Sequence, residues 1–217
     1  MITTNVEAIL RQLPPGVQVV AAVKTRSAAE IMEAHAAGIR IVGENYLQDA
    51  SAVMPHCHAP LEWHFIGHVQ KNKVRQIVPA FDLIETVDSL ELGRLIASCA
   101  TKHAKTMPVL IEINSGREPQ KHGVWPEQAA ELVENLGWLE GLKVVGLMTM
   151  GPFLDDPAGL RSYFRATRRL FEELKAAHPD FSLLSMGMSD SWQLAVEEGA
   201  SLVRIGTAIF GERPARR

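Results

Sequence analysis

Cysteine is scarce. Cys57 and Cys99 are the only two in 217 residues, which excludes a disulfide scaffold and a multi-cysteine zinc centre and makes reduced thiols the simplest reading. Excess charge of one sign is missing as well. Lys plus Arg number 22 against 25 Asp plus Glu, a net charge of -3, too little to recommend a phosphodiester backbone, so no nucleic-acid partner is expected. No run approaches the ~18 apolar residues of a membrane span. Met1 to Leu10 carries Glu7 and lacks the charged start and uninterrupted apolar stretch of a signal peptide. A cytoplasmic, monomeric protein without a membrane partner is expected. The basic end, Arg213 to Arg217, reads as a solvated terminus with no role. Linkers, low-complexity stretches and internal repeats are also lacking, so residues 1–217 read as a single domain. With 47% hydrophobic and 22% charged residues the chain can bury one sizeable core.

What is present is alternation. Short apolar, β-branched runs at Val17–Val23, Ile39–Val42, Trp63–Ile66, Leu83–Val87, Pro108–Ile113, Val144–Met148, Phe181–Ser185 and Leu202–Ile205 predict strands. Helical patterns lie between them at Ala28–Ala37, Leu47–Val53, Lys71–Val78, Leu90–His103, Glu127–Leu136, Gly159–Ala177 and Trp192–Glu198, with a further helix at Thr4–Leu13. Ser27 and Glu30 have the spacing of a capping box, and Asp88 or Ser89 opens the Leu90 helix. Gly38, Gly137 and Gly199 stand where a left-handed residue would end a helix. Near-continuous apolar strands joined by helices call for a parallel sheet buried on both faces. Eight such units predict a TIM-type (β/α)8 barrel with an extra N-terminal helix, an open doubly wound sheet being the alternative.

In such a barrel the chemistry sits just after the strands. Lys24 ends an otherwise apolar strand. An amine held in a partly desolvated mouth loses its proton more readily and can attack an aldehyde to form a Schiff base; a lysine that merely emerges into solvent is the competing reading. Ser185 to Ser189 follows strand seven, and Arg204 to Thr207 spans the end of strand eight. Barrels usually bind phosphate there. Glycines admit backbone N–H groups close to an anion, and the Ser189 and Thr207 hydroxyls add donors. A lysine beside a phosphate cradle describes a site for a phosphorylated aldehyde, with pyridoxal 5′-phosphate the leading cofactor candidate.

The motifs Ala22-Val23-Lys24-Thr25, Gly43-Glu44-Asn45-Tyr46, Trp63-His64-Phe65-Ile66-Gly67-His68, Ser185-Met186-Gly187-Met188-Ser189 and Arg204-Ile205-Gly206-Thr207 occur in this order. With them the sequence resembles the pyridoxal phosphate homeostasis family, single-domain relatives of the alanine racemase N-terminal barrel. That resemblance implies Lys24 as the Schiff-base lysine. It further implies that Ser189, Gly206 and Thr207 contact the phosphate, with Arg204 close to the cofactor and Asn45 lining the site. Val23 and Arg26-Ser27 depart from residues common in relatives, and the flanks of Lys121-His122-Gly123 differ too, which leaves Lys121 without an assigned role.

A racemase needs a base on each face of the substrate carbon. In the racemases that the family resembles, the second base comes from a separate β domain, which a chain ending at Arg217 is not expected to hold. Tyr46 could replace it, although a ring packed at the barrel rim is the plainer reading. The expectation is therefore a cofactor carrier with no established catalytic residue, with cofactor-free enzymes as recipients; a weak amino-acid racemase is the alternative. Arg204→Gln is expected to weaken retention while sparing the fold. His56-Cys57-His58 reads as a surface loop, Lys71, Lys73 and Arg75 as a solvated helix face, and no carboxylate is seen to complete a zinc set with His64 and His68.

Overall fold

Eight short segments, most of them rich in valine, isoleucine and leucine and the third carrying Trp63 and Phe65 instead, cannot leave their apolar faces in water, and each becomes a parallel strand. A computed structural model describes residues 1–154 and 156–212; the basic end read above as a solvated terminus lies outside the described residues. The strands are β1 (Gln18–Ala22), β2 (Ile41–Glu44), β3 (Glu62–Phe65), β4 (Leu83–Val87), β5 (Met107–Glu112), β6 (Leu142–Thr149), β7 (Leu183–Met186) and β8 (Leu202–Ile205). They pair in sequence order, and β8 closes on β1 with Val20 beside Arg204. Helix α1 (Ile2–Gln12) precedes the barrel. The others are α2 (Ala28–Ala36), α3 (Leu47–Val53), α4 (Val74–Ala80), α5 (Leu90–Lys102), α6 (Ala129–Gly137), α7 (Arg161–Ala177), α8 (Trp192–Glu197) and α9 (Thr207–Phe210). The fold is a TIM-type (β/α)8 barrel with an extra N-terminal helix, as the alternation predicts.

Local chemistry sets the helix ends. Ser27 and Glu30 form the complete capping box, and the Ser89 hydroxyl, rather than Asp88, caps α5 by accepting from the Leu92 N–H. Gly38 and Gly199 take left-handed φ angles of 124° and 92° after their helices. Gly137 does not: it is the last residue of α6, and the left-handed turn falls at Gly141 instead.

Two cores result from the pleat. Ile31, Ile77, Phe81, Ile96 and Phe164 fill the layer between strands and helices, each burial contributing ~1.5–3 kcal/mol. Leu83, Leu110 and Met148, and separately Val20, Ile41 and Leu202, form small apolar clusters apart from that layer, inside the barrel. Successive residues of a strand alternate faces. Two positions beyond Leu83, Leu110, Leu183 and Leu202 the same strands therefore carry Glu85, Glu112, Ser185 and Arg204, all buried. An apolar floor under a polar layer leaves the barrel's chemistry at its C-terminal mouth.

Candidate functional site

Lys24 lies two residues beyond β1 and is half-buried. Its ammonium donates to the Tyr46 hydroxyl at 3.3 Å and sits 4.7 Å from the centre of that ring. The next residue, Thr25, holds a left-handed φ of 65°, and its hydroxyl is buried with no hydrogen-bond partner. Asn45 follows β2, and its N–H donates to the Glu44 carboxylate at 2.7 Å, with the Tyr46 N–H at 3.3 Å. Burial pushes the Glu44 carboxyl up to about 7, against the pull of those N–H groups and of Lys24.

Across the closure of β1 on β8, the Ser189 hydroxyl oxygen accepts from the N–H groups of Gly206 and Ala208, both at 3.2 Å. Thr207 is exposed at the first turn of α9. Gly206 has no left-handed backbone, and a Cβ there would make only ordinary contacts, the nearest with the Ala22 carbonyl at 3.4 Å. Nothing in the protein's own packing demands a glycine. Converging N–H groups, an unneeded glycine and the unpartnered Thr25 hydroxyl fit a phosphorylated aldehyde lying between Lys24 and Ser189.

Arg204 reaches the same end from inside the barrel. Its guanidinium donates to the Ser185 hydroxyl and to the Thr149 carbonyl, the latter at 3.0 Å, and lies 3.5 Å from the Glu85 carboxylate. Burial lowers its pKa, while Glu85 and Glu112 favour the charge. Glu85 is fully enclosed. Burial alone would raise its carboxyl, but His64, Arg204 and Ser185 outweigh that and hold it below the usual carboxylate range. His64 bridges Glu85 at 2.8 Å and Glu62 at 2.9 Å, and these two partners overcome its burial to hold the imidazole at about 9. Burial raises Glu112 to about 7.

The barrel thus brings Lys24, Asn45, Ser189, Arg204, Gly206 and Thr207 to one end. Sequence reasoning gave Glu44 no role of its own and passed over Glu85 and Glu112, although a carboxylate inside an apolar strand is the same signal that singled out Lys24. His64 and His68 do not come together as a ligand pair. His64 points into the barrel between two carboxylates, and His68 lies past the end of β3, where Asp88 and His122 accompany it. Lys121 pairs with Glu118 at 2.5 Å and donates to the Gly151 carbonyl. Exposed Lys71 pairs with Glu91, in keeping with a solvated face. A 760 Å³ groove lined by Lys71, Arg75, Leu95 and Lys102 runs outside the barrel between α4 and α5 and includes none of the site residues.

Known proteins resemble this chain in sequence and fold. The family model for the alanine racemase N-terminal domain covers residues 1–214. The pyridoxal phosphate homeostasis protein of Aquifex aeolicus is 42% identical over 88% of this chain and 84% of its own, and that of Bos taurus 39% over 92% and 79%. PipY of Synechococcus elongatus, solved with PLP bound, superposes with a TM-score of 0.90 at 34% identity, covering 97% of this chain and all (100%) of PipY. Alanine racemase of Clostridium difficile shares the fold, with a TM-score of 0.82 at 15% identity, and this chain covers 57% of it. Among the described residues no helix is long and apolar enough to cross a membrane.

Proposed function

The chain belongs to the family of the alanine racemase N-terminal domain, among relatives called pyridoxal phosphate homeostasis proteins, and from that premise we propose that it binds pyridoxal 5′-phosphate and serves its intracellular homeostasis. Lys24 is the anchoring amine, condensing with the aldehyde as a Schiff base with loss of one water. The N–H groups of Gly206 and Ala208 converge on one acceptor, Ser189 Oγ, and a phosphate oxygen is the stronger acceptor for them. Ser189 and Thr207 then donate their own hydroxyls. Asn45 lines the site from β2, and Arg204, held by Ser185 and the Thr149 carbonyl, keeps a fixed positive charge beneath it.

Bound pyridoxal phosphate supplies a reactive aldehyde on an electron-withdrawing ring. This chain's residues hold it at an open rim. Lys24 is only half-buried, and Tyr46 and Thr207 are exposed, so water reaches the anchor, which suits uptake and release better than protection of a carbanion. The Tyr46 hydroxyl touches the Lys24 amine itself, on the side a first base already occupies. The reading is a single-domain, monomeric, cytoplasmic carrier whose recipients are enzymes awaiting the cofactor. The observation that carries it is the convergence of the Gly206 and Ala208 N–H groups on Ser189 at the end of β8, the strand paired with the one that Lys24 follows.

The test is to load the protein with pyridoxal phosphate, record its visible absorbance, reduce it with borohydride and map the adduct. A borohydride-sensitive band with the pyridoxyl group on Lys24, and no turnover of alanine, is expected. An adduct on another lysine overturns the site, and rapid racemisation overturns the carrier role.

A further inference from the structure

Three side chains further round the rim, after β3, β4 and β5, are not among the residues assigned to the proposed cofactor site, although Gly67 packs directly on Asn45. His68 follows Gly67 just past the end of β3, Asp88 directly follows β4, and His122 precedes Gly123 in the loop between β5 and α6. The two imidazole rings stack with centroids 3.7 Å apart and planes 13° from parallel. Asp88 Oδ2 lies 3.9 Å from His122 Nδ1, and one ligand atom from each residue lies within 4.8 Å of the others. We propose that His68, Asp88 and His122 bind a divalent transition-metal ion of the zinc class at the barrel rim.

Donor chemistry selects the class of ion. Two imidazole nitrogens with one carboxylate suit zinc, cobalt, nickel or copper, whereas magnesium and calcium prefer all-oxygen sets. Ligands about 2.0–2.2 Å from a tetrahedral ion stand about 3.3 Å from one another. The three groups therefore need to close by at most about 1.5 Å, and the stacked rings must tilt so that their in-plane lone pairs converge. Both histidines are exposed and Asp88 half-buried, so χ rotation is free to do this. Their backbones are not free. A Cβ on Gly67 would meet the Asn45 carbonyl oxygen at 2.1 Å, and Gly123 has a φ of 100° with a Cβ position 2.8 Å from the Asn114 nitrogen. Gly67 presses its loop against the end of β2 and Gly123 folds its loop back on the end of β5, so the metal orders side chains rather than backbone. Three protein ligands leave a fourth position open to water.

The experiment uses the full chain without an affinity tag, stripped with a chelator and titrated with cobalt(II), followed by zinc competition and thermal melting. One equivalent of cobalt with the intense visible bands of a four-coordinate ion is expected, displaced by zinc, and zinc should raise the melting temperature. His68→Ala and His122→Ala should each weaken binding at least tenfold, and Asp88→Asn should weaken it less. Unchanged melting of the metal-free variants separates loss of a ligand from loss of the fold. Absence of binding overturns the proposal. So does binding that survives both histidine variants, or that vanishes instead with Cys57→Ser.

Discussion

His64 is 1% exposed, with a carboxylate on each ring nitrogen. Its folded pKa of about 9 lies above the ordinary imidazole value near 6.5. Between those values the folded chain keeps a proton that the unfolded chain releases. The stabilisation is therefore complete below pH 6.5 and is lost as pH rises through 9, by on the order of 3 kcal/mol. Denaturant titrations at pH 6, 7.5 and 9 should show wild-type stability falling across this window, and His64→Gln should remove most of that slope. Arg204 makes a second prediction at this scale. The sequence-based expectation that Arg204→Gln spares the fold does not suit a guanidinium beside the enclosed Glu85. Removing one partner of a buried pair costs about 3–5 kcal/mol, and the same titration at pH 7 should read it. A loss under about 1 kcal/mol would mean that His64 alone sustains the Glu85 charge. The rim residues were legible because they follow strands; the interior carboxylates stood in apolar strands too, but what they pair with was not legible, since their partners are far away in sequence, as Ser185 is from Glu85.

Elements show the same division. Strand identity and order could be read from apolar runs, but boundaries moved wherever a polar or small residue continued a strand. β2 extends to Glu44 rather than stopping at Val42, because Gly43 and Glu44 pair with His64 and Phe65. β7 begins at Leu183, after Phe181 has turned toward α7 to pack on Phe171. Glycines were the least legible feature, since spacing does not distinguish a helix end from a close approach. Two substitutions of opposite sign follow. Gly67→Ala would drive a methyl group into the Asn45 backbone, which cannot retreat without parting β2 from β3; a loss of about 1–3 kcal/mol is expected. Gly137→Ala, at the helical end of α6 with nothing within 4 Å of the added carbon, should stabilise by about 0.5–1 kcal/mol. Thermal melts of the two single variants settle both, and a Gly67→Ala protein as stable as wild type would mean that the strand ends are not packed as described.

For the whole molecule the decisive place is the closure of the barrel. β8 pairs with β1 over four residues but with β7 in a single registered pair, Ser185 with Leu202, and the Arg204 side chain crosses to Ser185 and Thr149 to hold that side. The proposed cofactor has anchors on both sides of this closure, Lys24 after β1 and Ser189 after β7, with Gly206 and Thr207 after β8 between them. A ligand bound there fastens the first strand to the last two and stabilises the folded state by mass action. At a hundred times Kd the gain is about 2.7 kcal/mol, which for a chain of this size raises Tm by about 5–10 °C. Pyridoxal lacks the phosphate and should give a smaller rise at equal concentration, while Lys24→Ala with pyridoxal phosphate should keep only the phosphate part. If pyridoxal matched pyridoxal phosphate in the wild type, the cluster of Ser189, Gly206 and Thr207 would hold no phosphate, and the closure would be held by Lys24 alone.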